Sequence, residues 1–209
     1  MNQYTLKEVS GKMLERAFFR MPLSIYKDDK VWVQPLDSDI EEVFDPKRNK
    51  RFRKGEVIRW ILENDKGEVV GRVAAFVDPV TFKKGEPPVG GVGFFECINS
   101  QEAANMLLDA AKHWLQAKGM EGMDGPVNFG DRDRWWGCLK DGFIEPTYCM
   151  NYNPPYYNDL FEGYGFQNYF NQYTYTRPIS TEGIADALLE RGMRLEANSS
   201  YKFKNAERG

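Results

Sequence analysis

Apolar and polar side chains alternate over two neighbouring stretches, residues 57–62 and 69–77, and Asn64-Asp65-Lys66-Gly67 between them supplies the residues of a tight turn. This pattern predicts an antiparallel hairpin with one face buried. Weaker alternation over residues 4–9 predicts a first strand. Met13, Leu14, Ala17, Phe18 and Met21 then recur at helical spacing, and Pro22 closes that helix. From Tyr26 to Gly55 the pattern dissolves into charge and proline, with one short helix expected over residues 39–43. A long surface connection of this kind is where specificity is often carried.

After the hairpin, a polar loop over residues 78–88 returns the chain to a strand over residues 92–98, preceded and entered by Gly90, Gly91 and Gly93. A polar turn follows, then a helix with Ala104, Leu107, Leu108, Ala111, Trp114 and Leu115 on one stripe, ended by Gly119. Residues 120–129 read as a further strand ending in GPVNF. Asn153-Pro154 reads as a cap and first turn of a helix running through Tyr157, Leu160, Phe161 and Tyr164, stopped at Gly165-Phe166. Residues 169–176 alternate as a strand, residues 184–191 form a short helix, and residues 201–204 form a last edge strand. Without internal repeats, one domain spanning residues 1–209 is expected, with its core over residues 4–176.

Of the 209 residues, 42% are hydrophobic and 28% charged, which is ordinary for a globular chain, and the net charge of -3 provides no basic field to attract nucleic acid. The N-terminus has no apolar leader and no stretch reaches the ~18 apolar residues of a membrane span, so a cytoplasmic protein with no membrane partner is expected. Cys97, Cys138 and Cys149 are widely spaced, and His113 is the single histidine, on the polar side of the long helix. Neither a disulfide framework nor a metal site is expected from them.

The turn between the glycine-rich strand and the long helix offers backbone N–H groups and the positive end of a helix dipole, a setting suited to an anion. With GRVAAFVD, FFECINSQEAANMLLDAAKHWLQAKG, GPVNF and YYNDLFEGYGF in this order, the chain resembles the GNAT superfamily of acyl-CoA-dependent N-acyltransferases over residues 4–176. With FDPKRNKRF added, it looks like a bacterial group of uncharacterised GNAT-like proteins, some with a further C-terminal half that would be absent from a chain ending at Gly209. The resemblance implies an α/β fold: a mixed, mostly antiparallel sheet, helices on both faces, and a parallel strand pair that splays apart. In that cleft the pantetheine arm of an acyl-CoA, acetyl-CoA above all, would lie along Phe95 to Cys97. Its pyrophosphate would sit on Asn99, Ser100, Gln101, Ala103 and Ala104, with Asn128 also at the cofactor.

This turn departs from the family pattern, having no glycine and no basic residue, and Asn99 and Glu102 stand at capping-box spacing, which sets a carboxylate where the phosphate would go. Acyl transfer to an amine needs a base and an acid. Glu96, an acid between Phe95 and Cys97, is the candidate base, with a structural pairing to Arg72 as the alternative reading. Phe161 occupies the place of the family's tyrosine acid, which leaves Tyr157 or Tyr164 as substitutes or as plain wall aromatics. The cationic run Lys47 to Lys54 is either a solvated, mobile loop or a receptor for an acidic partner. Trp135 and Trp136, after Asp131-Arg132-Asp133-Arg134, either wall the acceptor side or belong to the core. The expected activity is acylation of an amine on a small molecule or peptide. A non-catalytic GNAT-like binding module, or a transferase drawing on a carrier-bound donor, are the alternatives.

Overall fold

The computed structural model describes residues 4–82, 86–130, 134–176, 180 and 184–202. It divides into two compact units, Met1–Gln167 and Asn168–Gly209. The first holds a five-stranded sheet in the order β1-β2-β3-β4-β5, with β1 at Thr5–Glu8, β2 at Glu56–Glu63, β3 at Val69–Val77, β4 at Val89–Cys97 and β5 at Gly122–Asp124. The first three pairings are antiparallel and the last is parallel. The β2–β3 turn forms as its residues require: Asn64 Oδ1 accepts from the N–H groups of Lys66 and Glu68, and Gly67 takes φ +77°.

Helices cover both faces. On one face lie α4 (Gln101–Ala117) and α5 (Tyr157–Tyr164), and the predicted stripe of α4 is buried, with Leu107 and Leu108 at 0% exposure and Leu115 at 2%. Each such side chain stabilises the fold by about 1.5–3 kcal/mol. The other face carries α1 (Gly11–Arg20), whose Phe18 packs on Ile61 and Ala74, and α3 (Asp37–Phe44), whose Val43 packs with Phe76 and Phe129. Between them Pro22 opens a further turn, α2 (Pro22–Ile25), instead of ending the helical path, because at the first position of a helix proline's missing N–H costs no bond. Gly119 and Gly165 follow α4 and α5 with φ of +79° and +113°, and Phe166 folds its ring back to 5.1 Å from Phe161.

The parallel pair is short. Val89, Gly90 and Gly91 pair with Gly122, Met123 and Asp124, and then the strands part. The strand expected over residues 120–129 therefore ends early: its second half turns onto the face of α1 and α3, keeping one bond from Val127 N–H to Val92 O, and Phe129 is fully buried there. Gly93 permits this path, since a Cβ at that position would fall inside the Val127 carbonyl.

Three further expectations are corrected. The helix α5 begins three residues later than Asn153-Pro154 suggests, because the Asn153 side chain is spent on the backbone of Leu139, accepting from its N–H at 2.6 Å and donating to its carbonyl at 3.2 Å. Residues 169–176 form no strand, and Tyr169, Tyr173 and Tyr175 stand exposed. In the second unit the helix α6 spans Asp186–Glu196, and Tyr201 and Lys202 are not in a strand, the rest of that expected strand lying outside the described residues.

Candidate functional site

The site begins with one extra residue in β4. Arg72 faces Glu96 and Ala74 faces Gly93, so two steps along β3 oppose three along β4, and Phe94 absorbs the surplus at φ +51°. Left-handed backbone at a bulky residue costs roughly 1–2 kcal/mol and marks a place where the fold imposes a shape. The consequence is a change of parity. Val92 faces the α4 side, and regular alternation would put Phe94 and Glu96 there too. Instead Phe95 and Cys97 take the α4 side, Phe94 packs with Phe44 on the opposite face, and Glu96 meets Arg72.

Glu96 lies in a buried polar cluster. Tyr157 and Tyr26 both donate to its Oε2, at 2.8 and 3.0 Å, while Arg72 Nη2 is 3.5 Å from Oε1. Arg72 itself is fixed by donation from Nη1 to Phe18 O at 2.8 Å and lies over the Phe18 ring; its buried Nε has no partner among the described residues. Burial pushes the Glu96 carboxyl above the usual glutamate range, against the opposing pull of Arg72, Tyr157 and Tyr26. Burial and the Glu96 charge drive both tyrosine hydroxyls upward, so they remain protonated donors. The pairing of Glu96 with Arg72, one of its two readings, is thus present in the fold.

Tyr157 also faces the edge of β4. Its hydroxyl accepts from Cys97 N–H at 2.9 Å, and the neighbouring Tyr156 hydroxyl donates to Cys97 O at 2.8 Å. Tyr164 does not join this cluster: its hydroxyl donates to Asp109 on α4 at 2.7 Å. Cys97 is fully buried and its thiol is pushed up to about 12 by burial and then by Glu96, so it is no nucleophile.

Beside the cluster opens a cleft that is continuous with solvent. Apolar side chains from three segments line it: Phe19 and Leu23; Trp32, Val33, Pro35 and Ile40; Trp135 and Met150. Phe94, Pro126, Glu96 and Tyr157 close its inner end. Glu96 keeps 13% of its side chain exposed, enough to be reached from there. The wall at Trp32 is tied to the cluster, because Tyr26 stacks on Trp32 at 4.6 Å and 8°. Asp29 accepts from Val31 N–H, Trp32 N–H and the Tyr152 hydroxyl, which joins the two sides of the mouth. Trp135 lines the cleft and, with Trp136, also packs against the buried cluster of Val43, Phe76, Val127 and Phe129; residues 131–133 before it lie outside the described residues.

The turn ahead of α4 is less open than a phosphate cradle. Its cap is Ser100, one residue later than capping-box spacing predicts: Ser100 Oγ accepts from Ala103 N–H at 3.3 Å. Ala104 N–H is bonded to Ser100 O and Ser100 N–H to Ile98 O. Gln101 donates to Leu160 O, fastening the turn to α5. Asn128 is buried, with Oδ1 lacking a partner among the described residues. The cationic run is docked rather than loose. Asn49 donates to Val43 O and Phe129 O, Phe52 packs on Phe129 at 5.1 Å, and Arg51 pairs at 3.3 Å with Asp78, whose side chain is 4% exposed. His113 is exposed on α4, as expected. Among the described residues no group of three or more His, Cys, Asp and Glu is placed to hold a metal ion, and no helix is long and apolar enough to cross a membrane.

Tyr26 and Tyr156 were not legible as site residues in the sequence. Tyr26 lies 70 positions from Glu96 in a stretch without periodicity, and only the Trp32 six residues later hints at an aromatic wall.

No model of a known protein family matches the chain. Among curated proteins it is similar to the bacterial ceramide synthase of Caulobacter vibrioides, 28% identical over 182 residues, covering 85% of this chain and 47% of that protein. It is also similar to Protein YghO of Escherichia coli, 27% identical over 154 residues, covering 72% of this chain and 38% of that one. The chain thus spans less than half the length of the curated relatives it matches. Similar solved structures include the aminoglycoside 6'-N-acetyltransferase AAC(6')-Ih of Acinetobacter baumannii, at TM-score 0.49 and 9% identity over 85% of this chain and 100% of that one. Another is the glucosamine-6-phosphate N-acetyltransferase of Arabidopsis thaliana, at TM-score 0.48 and 8% identity over 83% and 98%. The assignment of fold rests on the topology itself: an antiparallel β1–β4 meander, a crossover through α4 into a single parallel strand, divergence of that pair beyond Gly91, and helices on both faces give this chain the GNAT fold.

Proposed function

We propose that the chain transfers an acyl group from an acyl thioester, an acyl-CoA in the simplest case, to the amine of an amphipathic small molecule. The carrying observation is Glu96: an elevated carboxyl at the inner end of an apolar cleft, beside the divergence of β4 and β5. An acid with a raised pKa is suited to accept a proton from an attacking amine, and Tyr157, a protonated phenol 2.8 Å away, is suited to donate one to the departing thiolate. The thioester arm would lie along the edge of β4 at Phe95 to Cys97, with Asn128 Oδ1 available to accept from it. The turn at Asn99 to Ala104 contributes less, since the N–H groups of Ser100, Ala103 and Ala104 are engaged within the protein. An apolar cleft favours an acceptor with a hydrocarbon portion. The name of the Caulobacter relative points the same way, since a ceramide is the amide of a fatty acid with a long-chain amino alcohol.

The closed turn supports a second reading, a GNAT-fold binding module that takes no free coenzyme A. One experiment separates them. Thiol release from acetyl-CoA and palmitoyl-CoA is followed with a thiol-reactive dye against short and long-chain primary amines, beside calorimetric titration with each thioester. Saturable, amine-dependent release that Glu96→Gln abolishes supports the transferase. No release and no binding up to millimolar thioester supports the module.

A further inference from the structure

We infer that Tyr26 is a positioning residue for Glu96, and that Tyr26, Glu96 and Tyr157 form one proton circuit in which a single carboxylate receives the amine's proton and restores the acid. The inference rests on the acyltransferase reading and identifies how its base and acid are coupled.

The geometry carries it. Glu96 Oε2 receives hydrogen bonds from two phenols that come from opposite sides of the sheet, Tyr157 from α5 and Tyr26 from the segment after α2. Tyr157 touches both the cleft and the edge of β4, where its hydroxyl meets Cys97 N–H. Tyr26 is 3% exposed and held between Trp32 at 4.6 Å and Tyr152 at 6.1 Å, its hydroxyl also 3.4 Å from Tyr152 O. It therefore acts through Glu96 rather than on a substrate. Among the described residues the carboxylate interacts with Arg72 from β3, with Tyr26, and with Tyr157 at the start of α5, while its charge is also felt by Tyr156 and by the Cys97 thiol.

The protons balance as follows. A neutral amine attacks the thioester carbonyl, forming the C–N bond, and its surplus proton passes to the Glu96 carboxylate. As the C–S bond breaks, the Tyr157 proton passes to the thiolate. Glu96, now protonated and in hydrogen-bond contact with the Tyr157 phenolate, returns the proton, leaving both groups as they began. No external acid is consumed. Tyr26 holds the carboxylate in place through the cycle and, by donating to the charged form, keeps Glu96 ionised to a lower pH than burial alone would allow.

The test is Tyr26→Phe, which keeps the ring on Trp32 and removes the hydroxyl alone. With one donor fewer, the Glu96 carboxyl rises further, so the acid limb of the kcat–pH profile moves upward by about half to one pH unit, with KM unchanged. At a pH on the limb this reads as a roughly three- to tenfold loss that a higher pH restores. Tyr157→Phe instead lowers kcat at every pH. Infrared titration of the protonated carboxyl band, assigned with Glu96→Gln, measures the same shift without any substrate. Turnover with no shift of limb or band in Tyr26→Phe, or a loss equal at all pH values, overturns the positioning role. Tyr157→Phe turning over within twofold of the parent overturns the circuit. An intact band shift with no turnover on any amine instead refutes the acyltransferase reading and leaves the Tyr26–Glu96 coupling standing.

Discussion

Replacing Gly93 by alanine probes the path on which the site depends. A Cβ there points at the Val127 carbonyl oxygen, far inside the 3.0 Å that such contacts respect, and the obstruction is backbone, which cannot rotate away. The segment must withdraw by about 1 Å or more, breaking the bond from Val127 N–H to Val92 O, and an orphaned buried N–H costs about 1–3 kcal/mol. Val127 precedes Phe129, which is fully buried against Phe52 and Phe76. Partial loosening of that ring forfeits roughly 1–2 kcal/mol of the 3–5 that complete removal would cost. Alanine regains about 0.5–1 kcal/mol of backbone entropy, too little to reverse the sign. The net loss of roughly 1–4.5 kcal/mol should lower the melting temperature by about 2–18 °C in a chain of this size. Thermal unfolding followed by circular dichroism measures it, with Gly122→Ala, whose Cβ meets only the Val89 side chain at 3.2 Å, as the mild comparison. A Gly93→Ala variant melting within about 2 °C of the parent would refute the reasoning that this glycine admits the crossing segment.

Asn49→Ala removes two donations to carbonyls and the acceptance from Arg51 N–H, and should destabilise by about 2–4 kcal/mol in urea unfolding. Arg51→Ser, stripping the buried Asp78 of its cation, should cost about 1–2 kcal/mol, whereas Lys47→Ser on the exposed part of the run should stay within about 0.5; equal melting of the two would show that the pairing contributes nothing. Desolvation raises the Asp29 carboxyl, but the bonds from Val31 N–H, the Tyr152 hydroxyl and Trp32 N–H outweigh it and hold the group below the usual aspartate range. Its stabilisation is therefore present above the ordinary aspartate pKa and lost as pH falls through the lowered one; tryptophan fluorescence should show an acid transition near that pH in the parent that Asp29→Asn lacks. Glu102→Gln removes a charge from the first turn of α4 and should tighten coenzyme A about two- to fivefold by calorimetry if its phosphates reach that turn; an unchanged affinity would place them elsewhere.

The strands β2 and β3 and the helix α4 were legible because each has a period that local physics enforces, whereas the parallel pairing of β4 with β5 was expected from the family resemblance. The early end of β5 was missed although Gly125-Pro126 is itself a strand-breaking pair, because the packing of Val127 and Phe129 on the opposite face leaves no mark in the pattern. Glu96 was legible as a carboxyl in apolar company. Its orientation was not, because one left-handed residue, Phe94, decides which face it joins, and a phenylalanine carries no sign of positive φ. Asn153 looked like a cap because asparagine before proline satisfies the rule locally, yet a backbone fourteen residues away claimed its side chain. The strand read into residues 169–176 fails for a related reason: alternation describes a surface ready to pair and cannot supply the neighbour.

The two phenols on the margin of β4 also bear on what can add to that margin. Beyond Gly91, where β5 leaves, β4 becomes an outer strand, and an uncovered outer strand is a template onto which another extended chain can add. Tyr156 and Tyr157 occupy the N–H and C=O of Cys97, so the lattice of bonds that would propagate such an addition is terminated by side chains. Any extended molecule that lies along this margin must outcompete two hydroxyls, one of them bound to a buried carboxylate. Removing both would therefore unblock the groove and, in the same stroke, bare a sticky seam, so that gain in ligand access and loss of colloidal solubility should travel together.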